Sequence, residues 1–320
     1  MMRLRTRGLL RFGLPLTLLG AGAAYAYATY PRIGAFAFRL NYAVERRRSG
    51  LSSRSVDVDG LRMAYDEGGS EDAPTVVLVH GYTADRTLWP NFARTLTNYF
   101  HVIVPDLAGH GETPFRDGDD FSGPGQADRL ARMLDLLGVE DFHVFGNSMG
   151  GLVAAHLAHR HADRVLSLGL CDAVGATTEA RSDAQQMLDR GEPNVFLLDS
   201  VDQFPRFYGM TMAKPPPAPK FVLDAMAKQY VDRRDQYEEI FDAFYETAQL
   251  DDLLSEITAP AMIVWGAQDQ LVHPDSVDVW GRLPEVREVK VYEGVGHMPM
   301  VEIPRRSSED YRAFLDSLGD

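Results

Sequence analysis

Beyond Arg54, short apolar runs alternate with longer stretches that have the periodicity of amphipathic helices. Such alternation predicts parallel strands joined by crossover helices, so that helices cover both faces of a sheet. Two further strand-like runs, at Ser55–Val58 and Arg62–Asp66, predict an antiparallel pair before the first crossover. We therefore expect an α/β protein with a mostly parallel sheet of about eight strands. The other predicted strands are Val76–Val79, Val102–Pro105, Phe142–Phe145, Val165–Cys171, Met262–Trp265 and Val286–Tyr292.

The alternation stops between Ala173 and Thr258, where only helical patterns and a proline cluster at 215–219 occur. This interruption predicts a helical cap inserted after the sixth strand. Its many large apolar side chains are expected to line an apolar pocket, and packing of the cap onto the sheet is the alternative. The candidate pocket residues are Phe204, Phe207, Tyr208, Met210 and Met212. The predicted organisation is a basic leader (1–54), a core (55–172 and 259–320) and a cap (173–258).

Charge is distributed unevenly along the chain. The net charge is −14, but residues 1–54 contain ten arginines and one acid, a charge of +9 that leaves the rest of the chain at −23. An acidic body argues against binding to nucleic acid, whereas a basic leader suits an anionic membrane surface as a partner. The single cysteine, Cys171, lies in an apolar run and is expected to be a buried structural residue.

Within the leader, residues 12–30 carry no charge. A helix of this length spans roughly 30 Å, so the segment is predicted to anchor the protein in a membrane by a single N-terminal crossing. The alternative is a cleaved signal peptide, with Ala24-Tyr25-Ala26 as one cleavage site, which would make the protein secreted or periplasmic. Arginines flank the run on both sides, which leaves the side of the membrane open. Residues 33–48 mix aromatics with arginines and are expected to lie in the interface.

The pentapeptide at 146–150, Gly-Asn-Ser-Met-Gly, follows a predicted strand and precedes a helical run. The pattern G-x-S-x-G at a sharp strand-to-helix turn lifts a serine hydroxyl clear of the sheet edge, and small residues are required because the turn is strained and closely packed. Alone the pattern is a weak signal, but its position between strand and helix makes it specific. We therefore expect Ser148 to be a nucleophile.

A serine hydroxyl needs a general base to accept its proton and a carboxylate to orient that base. Asp269 and His297 each follow one of the last two predicted strands, and the order serine, aspartate, histidine is the one expected of such a site. Both lie at carboxyl ends of strands, where α/β sheets place their sites. The sequence predicts a catalytic triad of Ser148, His297 and Asp269. Asp172, which follows the preceding strand, is a rival for the acid.

Acyl transfer also requires N–H donors for the oxyanion of the tetrahedral intermediate. The amides of Met149 and Tyr82 occupy the usual positions after the nucleophile and after the third strand, and Gly81 permits the bend that aims an amide inward. No cofactor and no metal are expected. Three histidines follow the nucleophile, but no cysteine or carboxylate completes a ligand set, so they predict a solvated helix face. They are His156, His159 and His161.

Several short segments combine into one set of motifs. They are His80 to Asp85 with Trp89, Asp106 to Gly111, Gly146 to Gly151, Trp265-Gly266 with Asp269-Gln270, and Gly296-His297. The set resembles α/β-hydrolase serine hydrolases, in particular the membrane-anchored monoacylglycerol lipases of that superfamily, over residues 55–318. The resemblance implies hydrolysis of medium- or long-chain acyl esters, an apolar acyl pocket in the cap, and access from the membrane surface.

Two alternative functions stay open. Carbon–carbon bond hydrolases of meta-cleavage products share the segment Gly-Asn-Ser-Met-Gly-Gly, although they usually carry tryptophan after the catalytic histidine, where this chain has Met298. A non-catalytic binding protein on the same fold is the second alternative. Haloalkane dehalogenases and epoxide hydrolases use aspartate at the nucleophile position, so Ser148 excludes them.

The expected substrate is therefore a lipid or another acyl ester. A chain that begins near Leu51 keeps every motif, so we expect it to stay active on dispersed esters.

Overall fold

The computed structural model describes residues 13–319, and eight strands form one sheet. The strands are β1 (Leu51–Val58), β2 (Leu61–Gly68), β3 (Thr75–Val79), β4 (His101–Pro105), β5 (Phe142–Asn147), β6 (Val165–Cys171), β7 (Ala261–Gly266) and β8 (Val286–Tyr292). Their order across the sheet is β1-β2-β4-β3-β5-β6-β7-β8. β2 pairs antiparallel with β1 and β4, and the other pairs are parallel. The predicted mostly parallel, eight-stranded α/β fold is confirmed.

Helices cover both faces of this sheet. The helices of the described residues are α1 (Gly13–Arg48), α2 (Pro90–Leu96), α3 (Gly123–Leu136), α4 (Met149–Arg160), α5 (Asp183–Asp189), α6 (Phe204–Thr211), α7 (Lys220–Asp232), α8 (Arg234–Tyr245), α9 (Ser276–Trp280), α10 (Pro299–Glu302) and α11 (Pro304–Ser317). The central strand β3 is buried on both sides, because successive side chains point to opposite faces. Val76 and Leu78 pack with α2 and α11, whereas Val77 and Val79 pack with α3 and α4.

Between β6 and β7 the chain leaves the sheet and forms α5 to α8. The proline-rich stretch at 215–219 has no regular structure and connects α6 to α7. Aromatic side chains from α6 and α7 pack against each other, with Phe204 and Phe207 in contact with Tyr230. This region matches the interval predicted as a cap, and its role as a separate unit stays a prediction.

The leader contains one long helix, α1, in the described part of the chain. Within residues 13–319, no helix is both long enough and apolar enough to cross a membrane. The crossing predicted for residues 12–30, whose first residue lies outside the described range, is therefore not supported. The segment carries no charge, but glycine, threonine and tyrosine contribute little hydrophobicity to it.

The second half of α1 packs on the body of the protein. A Cβ at Gly34 would lie 1.9 Å from the backbone oxygen of Phe221, so glycine allows α1 to cross α7 closely. Further along, the hydroxyl of Tyr42 donates a hydrogen bond to Asp66 at the start of the core. The leader is therefore not an independent tail, because part of it is folded against α7 and the sheet.

Strand β1 begins at Leu51, four residues before the start of the strand predicted at Ser55–Val58. Residues 52–55 of β1 are exposed, as is common in an edge strand. An exposed edge strand lacks the alternation of apolar and polar residues that marks a half-buried one. For this reason the first half of β1 gave no strand signal in the sequence.

Candidate active site

The predicted nucleophile lies alone in the turn between β5 and α4. β5 ends at Asn147 and α4 begins at Met149, and Ser148 between them has φ of 57° and ψ of −122°. A residue with a side chain rarely adopts this φ, and such strain persists mainly where surrounding contacts enforce it. A Cβ at Gly146 would lie 2.0 Å from the backbone oxygen of Gly150. Only glycine permits this approach, which holds Ser148 at the carboxyl edge of the sheet.

The predicted base and acid form a buried pair. Nδ1 of His297 lies 2.7 Å from Oδ2 of Asp269. The other oxygen of Asp269 accepts backbone N–H groups from Leu271 at 2.8 Å and Val272 at 3.1 Å. Because Nδ1 donates to the carboxylate, the neutral imidazole keeps Nε2 as its acceptor. This geometry suits a general base with a fixed tautomer and orientation.

Backbone contacts hold the loops after β7 and β8 together. A Cβ at Gly266 would lie 1.9 Å from the backbone oxygen of Gly296. Asn147, which precedes Ser148, donates from Nδ2 to the backbone oxygen of His297 at 3.0 Å. Sequence analysis did not single out Asn147, and its position beside the nucleophile was the only signal. Its side chain connects the serine turn to the histidine loop.

Ser148 and His297 both line a cavity of about 550 Å³. The structure thus brings the predicted nucleophile, base and acid to one edge of the sheet, where three separate loops meet. The acid that contacts His297 is Asp269. The rival, Asp172, instead accepts the backbone N–H of Gly266 at 2.9 Å. Serine, imidazole and carboxylate in this arrangement can carry out acyl transfer.

The two predicted oxyanion donors lie next to the serine. Met149 is the first residue of α4, so its N–H has no acceptor within the helix. A Cβ at Gly81 would lie 2.9 Å from the Cβ of Ser148, so the backbone before Tyr82 passes directly beside the nucleophile. The hydroxyl of Tyr82 donates to the backbone oxygen of Tyr237 at 2.6 Å. This bond anchors the Tyr82 side chain in the cap and leaves its amide near Ser148.

His80 supports the loop that carries Tyr82. Its Nδ1 donates to the backbone oxygen of Gly81 at 2.8 Å, and its Nε2 accepts the backbone N–H of Leu107 at 3.0 Å. Complete burial lowers the pKa of His80 to about 4, which keeps the ring in this neutral tautomer. The geometry fits a structural role for His80.

The structure divides the predicted cap residues into two groups. Phe204, Phe207, Tyr208 and Met212 line the cavity, but Met210 does not. The side chain of Met210 packs with Met187 and Leu271 instead. Residues 204, 207, 208 and 211 share one face of α6, and position 210 points away from that face. Including Met210 in the pocket was therefore wrong, because the sequence shows that α6 is apolar but not how it is rotated.

Part of the cavity wall comes from α1, which the motifs had not implicated. Ala37, Phe38 and Asn41 line the cavity together with residues of the cap. Phe221 on α7 lines it too, next to the crossing of α7 and α1. The mixture of aromatics and arginines at 33–48 indicated an amphipathic helix, but not where its inner face packs. The expectation that activity is independent of the leader therefore has to be revised.

One group of possible metal ligands occurs among the described residues. Ligand atoms of Asp172, Asp269 and His297 lie within 4.8 Å of one another. The oxygens of Asp269 already accept hydrogen bonds from His297 and from two backbone amides. Hydrogen bonds within the cluster and to the backbone suit an acid–base site better than a structural metal site.

The three histidines in and directly after α4 do not share one environment. His159 contacts Glu256 at 2.9 Å and His161 contacts Asp128 at 3.1 Å, and both are partly exposed. His156 is buried, and burial lowers its pKa to about 4. The prediction of a solvated face was wrong for His156, because α3 covers that side of α4.

Comparison with known proteins agrees with this fold. The family model described as the alpha/beta hydrolase fold matches residues 74–304, so the chain belongs to that family. Lipase 1 of Psychrobacter immobilis is 30% identical over 86% of this chain and 87% of its own length. Monoacylglycerol lipase abhd6-B of Xenopus laevis is 26% identical over 88% of this chain and 87% of its own length. The protein is therefore a serine hydrolase of the esterase and lipase type.

Solved structures extend the similarity to nearly the whole chain. A bacterial membrane phospholipase A superposes with a TM-score of 0.86 at 36% identity, covering 97% of this chain and 99% of that one. A structure described as a putative lipase from Acinetobacter baumannii has a TM-score of 0.80 at 29% identity, covering 88% of this chain and 96% of that one. A meta-cleavage product hydrolase, at 21% identity and a TM-score of 0.68, shares the fold.

Proposed function

We propose that the protein is a monoacylglycerol-type lipase that cleaves acyl esters through Ser148, His297 and Asp269. The observation that carries the proposal is the buried His297–Asp269 pair, whose His297 lines the same largely apolar cavity as Ser148. Acyl transfer needs the serine, imidazole and carboxylate, and recognition of a lipid chain needs the apolar walls of the cavity. The lipase and monoacylglycerol lipase relatives support this class of substrate.

In the proposed reaction, Nε2 of His297 accepts the hydroxyl proton of Ser148 as Oγ attacks the ester carbonyl. The backbone N–H groups of Met149 and Tyr82 stabilise the oxyanion that forms. Asp269 stabilises the imidazolium, which then protonates the departing alcohol and leaves an acyl-enzyme on Ser148. The same histidine next activates a water molecule, which releases the fatty acid and restores the serine.

The cavity supports a flexible acyl chain as the substrate. Its walls consist largely of aromatic, aliphatic and proline side chains contributed by α1, the cap and the loop after β8. Burial of each methylene gains roughly 0.8 kcal/mol, so a longer chain binds more strongly until the cavity is full. We therefore expect kcat/KM to rise with acyl length.

We further propose that α1 attaches the protein to a membrane surface. Its exposed large apolar side chains recur at intervals of three or four residues and so form one stripe. An apolar stripe on a helix rich in arginine favours the headgroup region of an anionic bilayer. The cavity-lining Phe38 lies on the same helix, so an acyl chain leaving the bilayer has a short route to Ser148. The stripe is formed by Tyr30, Ile33, Phe36, Leu40 and Val44.

A substrate panel tests the catalytic proposal. We would measure kcat/KM of the purified full chain on monoacylglycerols, on short esters and on a ring-cleavage dienoate. Monoacylglycerol hydrolysis that Ser148→Ala abolishes is the expected result. Preference for the dienoate would instead make the protein a carbon–carbon bond hydrolase, and no turnover of any ester would leave a binding protein.

Vesicle flotation tests the membrane proposal. Phe36→Asp combined with Leu40→Asp should lower binding of the full chain to anionic vesicles about tenfold or more, because two apolar side chains no longer enter the bilayer. Tyr99→Asp with Leu136→Asp is the matched control, since these residues are about equally exposed away from α1, at 57% and 58%. Equal loss in both double variants, or no binding by the unmodified chain, would contradict the proposal.

A further inference from the structure

One carboxyl group beside the proposed triad takes part in none of the steps above. Asp172 directly follows β6, is fully buried and has φ of 47°. Aspartate tolerates the left-handed region better than most residues, but the conformation still costs on the order of 1 kcal/mol. The fold thus retains a strained, buried acid at the edge of the sheet that carries the nucleophile.

The environment of Asp172 contains a second carboxyl group. Oδ1 of Asp172 accepts the backbone N–H of Gly266 at 2.9 Å, and Oδ2 lies 3.4 Å from Sγ of Cys171. Ligand atoms of Asp172, Asp269 and His297 lie within 4.8 Å of one another. Within residues 13–319, no lysine or arginine forms an ion pair with either carboxyl group. The titratable groups that face Asp172 are therefore Cys171, Asp269 and His297.

Two adjacent buried carboxyl groups without a cation do not both ionise, so the pair holds a proton. Asp269 accepts hydrogen bonds from His297 and from two backbone amides, and each of these donors favours its ionised form. Asp172 accepts only one backbone N–H and the weaker S–H of Cys171. Burial, followed by the charge of Asp269, raises the pKa of Asp172 well above its usual range. The proton therefore belongs on Asp172.

We propose that Asp172 is a neutral carboxylic acid that donates a hydrogen bond to Asp269 and fixes the carboxylate that faces His297. Asp172 is thus a positioning residue, because it acts on the reaction only through Asp269. The proposal rests on the triad proposed above. It also gives a reason for retaining the strained backbone at Asp172, where φ is 47°.

A neutral and an ionised Asp172 predict different behaviour of Asp172→Asn. The amide has the same shape, tolerates a positive φ and still offers a donor to Asp269. Replacing a neutral acid leaves the charge near His297 unchanged. Replacing an ionised acid would remove a negative charge beside the imidazole of His297 and so destabilise its protonated form. The acid limb of kcat/KM would then move to lower pH.

The test is the pH profile of ester hydrolysis by the full chain and two variants. Asp172→Asn should retain activity within about threefold and keep the acid limb in place, because charge and donor are preserved. Asp172→Gly tolerates the positive φ but lacks the donor, so kcat should fall about tenfold or more with little change in KM. A shifted acid limb in the asparagine variant, or full activity in the glycine variant, would overturn the proposal.

Infrared difference spectroscopy detects the proton without turnover. The spectrum of the unmodified chain minus that of Asp172→Asn should contain the carbonyl band of a protonated carboxylic acid at neutral pH. Absence of the band overturns the proposal even if the glycine variant does not fold. Failure of the triad itself would appear differently, as full activity in Ser148→Ala.

Discussion

The catalytic corner, formed by the loops after β5, β7 and β8, is built differently from the cavity walls formed by α1 and the cap. In the corner, backbone hydrogen bonds and close glycine contacts hold each polar group, as for Asp269 with its two backbone amides. In the walls, residues far apart in the sequence, such as Phe38 and Phe221, line the cavity with apolar side chains. In the proposed mechanism, the corner determines the chemistry, whereas the walls determine which substrate fits.

This difference predicts how each region responds to substitution. A change in the corner removes a group that acts together with its neighbours, so its effect on the rate is large and does not depend on the substrate. A change in a wall removes apolar contacts, so its effect grows with the length of acyl chain that used them. The two regions are thus distinguishable by measuring kcat/KM across a series of esters.

The largest effect is expected in the corner. Ser148→Ala and His297→Ala should each reduce kcat/KM on the order of 10⁴-fold or more for every ester, since triad members act as a unit. Asp269→Asn should also be severe, because the amide favours the wrong tautomer of His297, whereas Asp172→Asn should be mild. Abolished activity in Asp172→Asn with normal activity in Asp269→Asn would reverse the assignment of the acid.

The corner was predictable from the sequence because its positions depend on strand ends. A serine between a strand and a helix, and an aspartate and a histidine after later strands, must meet at one edge of a parallel sheet. The pentapeptide at 146–150 also requires glycine at its first position, because the backbone of Gly146 closely approaches that of Gly150. The location of each predicted residue therefore followed from one local pattern in the sequence.

The walls were only partly predictable, because rotation and docking of helices depend on tertiary contacts. Phe204 and Met210 are equally apolar in the sequence, but only Phe204 lines the cavity. The inner face of α1 could not be inferred, since the close crossing at Gly34 depends on α7, more than 180 residues later. Likewise β1 was recognised only in its second half, because an exposed edge strand has no apolar alternation.

The next largest effect is expected from the leader, where the sequence-based expectation differs from the structure. Removal of residues 1–49 should lower kcat/KM for a twelve-carbon ester about tenfold or more, because Phe38 and its neighbours no longer close the cavity. Acetate esters should be much less affected. A truncated chain with the acyl-length profile of the full chain would show that α1 is not part of the substrate site. Phe38→Ala in the full chain removes the cavity contact but keeps α1, and so distinguishes a role in substrate binding from a role in stability.

The smallest effect tests the two faces of α6 against each other. In the unmodified chain, two additional methylenes gain about 1.6 kcal/mol, so kcat/KM should rise about tenfold for every two carbons until the cavity is full. Phe204→Ala with Phe207→Ala removes two aromatic side chains that line the cavity and should flatten this rise without slowing acetate hydrolysis.

Met210→Ala is the matched control for that double variant, because Met210 is buried on the other face of α6 and its truncation costs stability without touching the cavity. We would measure kcat/KM for esters of two to twelve carbons with all three proteins and record their melting temperatures. The slope should change only in the double variant, although both variants are destabilised. An equal loss of slope in Met210→Ala would mean that general loosening of the cap, rather than direct contact, determines selectivity. A flat profile in the unmodified chain would contradict the lipase proposal and favour a hydrolase of small esters.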